Sequence, residues 1–511
     1  MARTMRIIGV SVCALACVLG PDPASLARAD SAASIPPWST YQQPGTSVVL
    51  DSAQRYAGKP TLRIAISADV GPPHSTQRRQ SNAVWLLDAT PYRAKRVRLQ
   101  LDDLTTFDRD VATARVIGLG QASAGTAEFL RMKHRLFRDL VERHGVTVLA
   151  FDTGVVEARE IDRYVATGRG DPIRALRSLP TWEWQTAEVR DLVKWMRAFN
   201  AAPGLHPTLH FAGVDPKLVD RALSNVESFA AKRGAHVQAA VRKQYACMPR
   251  SMESWQRLSA TWDGKPRCIR SVAEVSRLIA TLHPDVDLAH DAHVVEQGVR
   301  IWLDPHGNGW GDVAVAQAEN IAWLAATRYP GAKVAVWSDN RAIGSQRDAD
   351  RPADWPTLGS RLNERFGKGY VRIGFAFDRG AVSATNDRLG PTSVAPAPRG
   401  TMEELLNSVG TRFYVPLRSL RASDPAARWF EGDTLGREVP SWFVDSSAAL
   451  VFARWKQRSR FDALIFVSES HASAVFPSLL GPLHYPARYT KERSKAVSAG
   501  RIGLQEIPES M

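Results

Sequence analysis

The segment Arg115–Thr126 reads RVIGLGQASAGT and predicts the passage from a buried strand through a tight loop into a helix. Its apolar start, VIGL, is typical of a short strand, and its glycines permit a sharp turn. After Thr126, apolar residues recur at helical spacing, and Gly145 suits the end of that helix. The loops that follow such strands are where α/β proteins usually bind ligands.

Alternation of apolar strands with amphipathic helices continues beyond this segment. A continuous apolar run at 146–151 precedes Asp152, and a second run at 209–214 precedes Asp215. A helix is predicted at 186–199, and further strands at 333–337, 370–375 and 461–467. We therefore predict an α/β fold with a three-layer α/β/α core and a parallel sheet.

Composition divides the 511 residues into successive regions. We expect a small β-rich segment before the core, a helical-bundle insertion within it, and a proline-containing loop at 381–400 that ends at a capping box beginning with Thr401. The predicted regions are a signal peptide at 1–29, a lead-in and β-rich segment at 30–104, the α/β core at 105–216 and 304–484, the insertion at 217–303 and a charged tail at 485–511.

The first 29 residues are typical of a secretory signal. Two arginines precede an apolar run that is too short to span a bilayer, and a small-residue site predicts cleavage after Ala29. The expected location is periplasmic or secreted. In such a compartment we predict a disulfide between the remaining cysteines, Cys247 and Cys268; the alternative is two buried reduced thiols.

The chain is strongly basic, with a formal net charge of +14. Without residues 1–29 it keeps 63 basic and 51 acidic residues, a net charge of +12. Such a charge favours contact with anionic surfaces or acidic glycans. Alternatively, it serves only to keep the protein soluble. The basic residues are scattered, so no specific nucleic-acid partner is expected.

Several motifs resemble those of the erythromycin esterase family in order and spacing. They lie between about 105 and 475, and include Asp162–Val165, Gly170–Pro172, Trp182–Thr186, Ala318–Asn320 and Phe461–Ala463. The resemblance implies an α/β fold with a helical bundle. It also implies metal-free hydrolysis of an ester in a macrolide-type lactone, with histidines activating water.

The positions that carry this chemistry in the family differ here. The family's loop glutamate and histidine correspond to Gln121 and Ala124, its arginine to Val313, and its paired histidines to Asp339 and Ala342. An imidazole accepts a proton from water near neutral pH, whereas amide and alkyl side chains cannot. We therefore predict a degenerate, catalytically impaired member that keeps a cleft for a small ester or glycan-like ligand.

The alternative is an active ester hydrolase in which Asp152 and Asp339 form a catalytic acid/base pair. No cofactor or metal is expected, and the oligomeric state is left open. The other residues predicted to lie in the cleft are Gln121, Ser123, Ala124, Lys133, Asp215, Val313, Glu319, Asn340 and Ala342.

Other functional interpretations of the same residues are weaker. Ser123 lacks the Gly-x-Ser-x-Gly context of a nucleophile, and Gly118–Gly120 is only the start of a dinucleotide motif. Strand-end aspartates could bind a hard cation, but no close Asp-x-Asp loop supports it. The glycine-rich segment 304–312, which contains His306, could be a recognition loop or a surface turn.

Overall fold

A computed structural model describes residues 104–482 with gaps at 205, 249–263, 304–308, 346–355, 386–387, 442–450 and 480, and three strands before residue 67. Residues 3–6 and 46–66, apart from 57–58, are described only as strands. The predicted tail at 485–511, residues 67–103 of the predicted β-rich segment and His306 lie outside the described residues.

The central feature is a nine-stranded sheet. Seven strands follow the order β10-β13-β8-β4-β7-β5-β6; outside this path, β9 pairs with β8, and β14 pairs with β9. Outside this sheet, β1 and β2 flank β3, and β11 pairs with β12. The strands are β1 (Arg3–Arg6), β2 (Thr46–Tyr56), β3 (Lys59–Ile66), β4 (Val116–Leu119), β5 (Val146–Gly154), β6 (His210–Asp215), β7 (Lys333–Trp337), β8 (Tyr370–Thr385), β9 (Arg388–Val394), β10 (Arg412–Val415), β11 (Thr434–Arg437), β12 (Phe452–Trp455), β13 (Ala463–Ser470) and β14 (Gly481–Pro482).

The sheet is mixed rather than purely parallel. β4, β5, β6, β7, β8 and β13 pair in parallel, while β10 and β9 join antiparallel at its margins. The loop predicted at 381–400 was wrong in its first part, because β8 runs to Thr385 and β9 returns from Arg388 to pair with it. Pro391 within β9 is tolerated on a short antiparallel strand near the sheet margin.

Fifteen α-helices are assigned in the described part of the chain. Short 3-10 turns lie at Trp182–Trp184, Gly367–Gly369, Leu417–Ser419 and Pro477–Leu479, and a π-helix at Leu324–Arg328. The helices are α1 (Thr105–Val111), α2 (Ala127–His144), α3 (Arg159–Thr167), α4 (Pro172–Arg177), α5 (Ala187–Ala201), α6 (Asp220–Lys232), α7 (Ala235–Tyr245), α8 (Lys265–Thr281), α9 (Val286–Trp302), α10 (Gly309–Trp323), α11 (Asn340–Ile343), α12 (Leu358–Phe366), α13 (Met402–Val409), α14 (Pro425–Glu431) and α15 (Gln457–Arg460).

Apolar side chains cover both faces of the sheet and form the predicted three layers. On one face, Phe129 and Phe137 of α2 pack with sheet residues such as Phe375. On the other, Ile321 of α10 and Leu362 of α12 pack against a second set of strand residues. Strands buried on both faces explain the continuous apolar runs in the sequence.

Helix α2 begins and ends where the sequence predicted. Thr126 precedes it, and Gly145 adopts a left-handed conformation with φ 68°, which glycine tolerates best. Helix α13 does begin after Thr401, whose side chain accepts from the Glu404 amide. Its capping box is incomplete, because the Glu404 carboxylate accepts from the Gly400 amide instead.

A helical bundle built from α6, α7, α8 and α9 occupies the predicted insertion. Its own apolar cluster includes Tyr245, Val272 and Val295, and the Cys247–Cys268 disulfide lies beside it, with Cα atoms 5.6 Å apart. The disulfide prediction is therefore confirmed. Among the described residues, no helix has both the length and the apolar character needed to cross a bilayer.

Candidate functional site

A cleft lies at the carboxyl ends of the neighbouring strands β4, β7, β5 and β6. Gln121 and Asp339 follow β4 and β7, Asp215 ends β6, and Asp152 lies near the end of β5; all four line the cleft. Adjacent parallel strands bring their carboxyl ends to one sheet edge, so residues distant in sequence meet there. The cavity measures about 160 Å³.

Asp152 lies at the centre of the cleft and is held by two side chains. Its Oδ1 accepts a hydrogen bond from Gln317 Nε2 at 2.6 Å, and its Oδ2 accepts one from Ser338 Oγ at 2.9 Å. Burial raises the pKa of Asp152 to about 7, and the negative charges of Asp215 and Asp339 add to the effect. The carboxyl group is therefore poised between its neutral and charged forms near neutral pH.

The two other strand-end aspartates already have partners. Asp215 Oδ2 lies 3.1 Å from Lys217 Nζ, and its Oδ1 accepts from the Lys217 amide at 2.9 Å. Asp339 caps helix α11, since its Oδ1 accepts from the Ala342 amide at 2.6 Å. Both carboxylates therefore also stabilise local structure.

Beneath the cleft, Gln121 contacts a fully buried lysine. Lys133 Nζ donates to Gln121 Oε1 at 2.7 Å and to the Ser338 carbonyl at 3.4 Å. Burial holds the pKa of Lys133 well below its usual range. The amine also lies 5.3 Å from the Trp337 ring centroid and 5.8 Å from that of Phe375.

The five positions that the sequence resemblance pairs with the family's reactive residues all line this one cleft. They are Gln121, Ala124, Val313, Asp339 and Ala342. They come from three separate parts of the chain, so their convergence is produced by the fold. None of the histidines in the described part of the chain lines the cleft.

Three predicted cleft residues point elsewhere. Glu319 contacts Gln297 and His293 of α9. It lies two positions after the cleft residue Gln317, and side chains two apart on a helix point in roughly opposite directions. The buried Asn340 side chain donates to the Phe375 carbonyl at 2.8 Å and accepts from its amide at 3.0 Å. Lys133 lies behind Gln121 and is not part of the lining.

Ser123 is a turn residue in this structure. Its hydroxyl accepts from the Gly125 amide at 3.2 Å, and its backbone bridges Val439. Gly125 lies so close to the backbone of Ser383 that a Cβ atom at this position would collide with it. These contacts fix the loop by backbone geometry.

Sequence analysis missed several lining residues. Glu183, within a motif used for the resemblance, lines the cleft, as do Gln317 and Arg341. The segment 438–441 after β11 also lines it, where Val439 donates to the Ala122 carbonyl. Glu183 belongs to the Trp182–Thr186 motif and Arg341 lies between Asp339 and Ala342, so both carried a signal in the sequence. Gln317 and the segment 438–441 carried none.

One group of possible metal ligands lies in the described part of the chain, remote from the cleft lining. Suitable atoms of Asp108, Asp139 and His144 lie within 4.8 Å of one another. Arg143 pairs with Asp108 at 2.6 Å, and His144 Nε2 lies 2.8 Å from the same carboxylate. Arg143 and His144 therefore already engage the Asp108 carboxylate.

Comparisons with known proteins agree with the fold. The chain is 20% identical over 417 residues to the Bacillus subtilis (strain 168) protein named Putative hydrolase YbfO, covering 73% of this chain and 87% of that protein. It is 27% identical over 145 residues to an Escherichia coli erythromycin esterase type II, covering 28% of this chain and 34% of that protein.

Three solved structures share the architecture. A Bacillus cereus protein superposes with a TM-score of 0.66 at 22% identity, covering 76% of this chain and 98% of that one. A succinoglycan biosynthesis protein superposes with a TM-score of 0.64 at 20% identity, covering 75% of this chain and 97% of that one. A mutant of the erythromycin esterase EreC in its open conformation superposes with a TM-score of 0.54 at 15% identity, covering 74% of this chain and 96% of that one.

The family model for erythromycin esterase matches residues 141–470, which include strands β5 to β13 and most of the residues lining the cleft. The match covers more than half of the chain and includes the strands that carry Asp152 and Asp215, as well as Asp339 after β7. The chain belongs to the erythromycin esterase family.

Proposed function

We propose that this chain is a degenerate member of its hydrolase family whose cleft binds a small ester or glycan-like ligand without hydrolysing it. One observation carries the proposal. The five positions where the family's reactive residues are expected meet in one cleft, and they supply Gln121, Ala124, Val313, Asp339 and Ala342. No imidazole lines the cleft in the described part of the chain, and none of these side chains replaces one near neutral pH.

The remaining polar groups suit binding. Asp152, Asp215 and Asp339 offer acceptors, while Lys217 and Arg341 offer donors. A cavity of about 160 Å³ is smaller than the roughly 300 Å³ at which drug-sized pockets begin. The described cleft would therefore hold one sugar ring or ester group rather than enclose a whole macrolide.

A second candidate function rests on Asp152. With its pKa raised to about 7, this carboxyl could act as a general acid or base beside Asp339. The chain would then be an active carboxylic-ester hydrolase with substituted machinery.

An esterase assay on purified protein, with a macrolide and simple aryl esters, separates the two functions. We expect no turnover by the wild type above an Asp152→Asn variant. Turnover that Asp152→Asn abolishes while Asp433→Asn, an exposed control, retains it would instead establish the acid/base function.

A restored variant gives a second test of the same proposal. It combines Gln121→Glu, Ala124→His, Val313→Arg, Asp339→His and Ala342→His. Hydrolysis gained only by this variant would support the loss of a family-type centre, because binding and fold are shared with the wild type.

We also propose that the protein is exported, with cleavage after Ala29. The Cys247–Cys268 disulfide supports this, since such bonds persist in oxidising compartments. Intact-mass analysis of the protein recovered from a secretion-competent bacterial host should show a chain that begins at Asp30. Recovery only of the uncut chain from the cytoplasmic fraction would contradict export.

A further inference from the structure

A second cavity, of about 590 Å³, is lined by residues around the amino end of β8, whereas the cleft lies at the carboxyl ends of the strands. Its walls come from α12, the start of β8, the 3-10 turns at Gly367–Gly369 and Leu417–Ser419, α14 and α15. Its volume falls within the roughly 300–1,000 Å³ typical of small-molecule sites. We call it the basic cavity.

Cations outnumber carboxylates in this cavity. Lys368, Arg372, Arg418 and Arg458 face it together with only Glu431 and Asp462, which leaves an excess of two positive charges. A concave surface with one dominant sign of charge concentrates counter-ions of the opposite sign.

The internal ion pairs occupy some of these cations but not all. Asp462 is held by Arg372, whose Nε and Nη2 donate to its two oxygens at 2.9 and 3.0 Å. Arg458 donates to the carbonyls of Leu417 and Leu420, and pairs with Glu431. Asp462 and Glu431 are thereby engaged by Arg372 and Arg458.

Among the residues that the structure describes, two cations of this cavity keep donors available. Arg418 is about half exposed, and its ion pair is a 4.0 Å contact with Asp462, which Arg372 already holds in two places. Lys368 is exposed and lies on the wall contributed by Gly367–Gly369. A planar guanidinium and a flexible ammonium facing one cavity are the usual donors to a tetrahedral oxyanion.

We propose that the basic cavity binds a phosphate group through Lys368 and Arg418, independently of the cleft. The Arg372–Asp462 pair would hold the wall of the cavity, while Arg418 and Lys368 donate to the phosphate oxygens. The whole chain carries a net positive charge, whereas the cleft gathers carboxylates. An anionic ligand in the basic cavity is consistent with this charge.

The test is a calorimetric titration of the full-length protein with inorganic phosphate at constant ionic strength, with sodium chloride as the blank. Glycerol 3-phosphate is titrated in parallel to distinguish a phosphomonoester from the free ion. The variant is Lys368→Gln with Arg418→Gln. The matched control is Lys232→Gln with Lys243→Gln, which removes two exposed cations from the helical insertion.

We expect saturable phosphate binding by the wild type and the control, and a Kd at least tenfold higher in the cavity variant. A lower Kd for glycerol 3-phosphate than for phosphate would assign the site to phosphomonoesters, and the reverse order to the free ion. Absence of saturable binding by the wild type, or equal weakening in variant and control, would overturn the proposal. Thermal unfolding of both variants without ligand checks that neither has lost its fold.

Discussion

At the scale of single residues, Asp152 has the most unusual environment in the cleft. Its carboxyl is held by Gln317 and Ser338, and burial raises its pKa to about 7. The native state therefore holds this proton more tightly than the unfolded chain, in which the pKa is near 3.8. Stability contributed by this group is present at pH 4 and falls as the pH rises towards 7.

Asp152→Asn should remove that pH dependence. From pH 5 to pH 8, the unfolding free energy of the wild type should fall by about 2 kcal/mol more than that of the variant, allowing for partial solvent exposure of the carboxyl. Urea unfolding at both pH values measures this difference. The same difference in an Asp433→Asn control, or none in Asp152→Asn, would show that Asp152 is not the titrating group.

The contact between Gln121 and Lys133 leads to a second residue-scale prediction. Gln121→Leu removes the 2.7 Å acceptor of a buried amine, and should lower the unfolding free energy by about 1–3 kcal/mol. Gln121→Glu keeps an acceptor there and should cost less. Chemical denaturation of both variants at pH 7 decides this, and equal losses would refute it.

At the scale of elements, Asn340 joins helix α11 to strand β8 through both backbone groups of Phe375. Asn340→Ala would leave a buried amide and a buried carbonyl without their partner. We expect a loss of about 2–4 kcal/mol in unfolding free energy. Asn363→Ala, an exposed site on α12, should stay within about 0.5 kcal/mol, and a comparable loss there would contradict the assignment.

The disulfide makes a prediction for the helical insertion. Cys247 and Cys268 are separated by 21 positions, so opening the bond should destabilise the bundle by about 3 kcal/mol. Hydrogen exchange under reducing conditions should show the largest increases in α7 and α8. Increases of the same size in the central strands would mean that the insertion is not a local unit.

The strands and helices of the core could be read from the sequence, but several contacts could not. Periodicity located β7 at its observed bounds and α2 at its observed ends, since burial on both faces and a left-handed glycine leave clear patterns. The extension of β8 beyond Phe375 was missed because Pro391 and Pro396 suggested a loop. Local sequence does not reveal pairing between distant segments.

The candidate site was partly predictable for a related reason. Asp215 ends a recognisable strand, Asp339 follows another, and Asp152 lies near the end of a third, so their meeting at one edge follows from the sheet order. Gln317 lies on a helix and Val439 on a segment after β11, and their approach to the cleft depends on tertiary packing. Glu319 was predicted in the cleft because it belongs to the Ala318–Asn320 motif, but its side chain points to Gln297 and His293 of α9.

At the scale of the whole molecule, the sheet separates two environments. The cleft at the carboxyl ends of the strands gathers carboxylates around Asp152, and the basic cavity near the amino end of β8 gathers cations. The chain keeps the fold of a hydrolase family, and Ala124, Asp339 and Ala342 line the cleft at the sheet edge. A shared fold does not by itself establish a shared activity, so hydrolysis has to be tested at the cleft.

The most direct measurement is mass spectrometry of a macrolide lactone after prolonged incubation with wild-type protein, across pH 5 to 9. We expect no ring-opened product above the buffer blank at any pH, because no imidazole lines the cleft in the described part of the chain to activate water. Ring-opened product that increases with protein concentration and disappears in Asp152→Asn would contradict it.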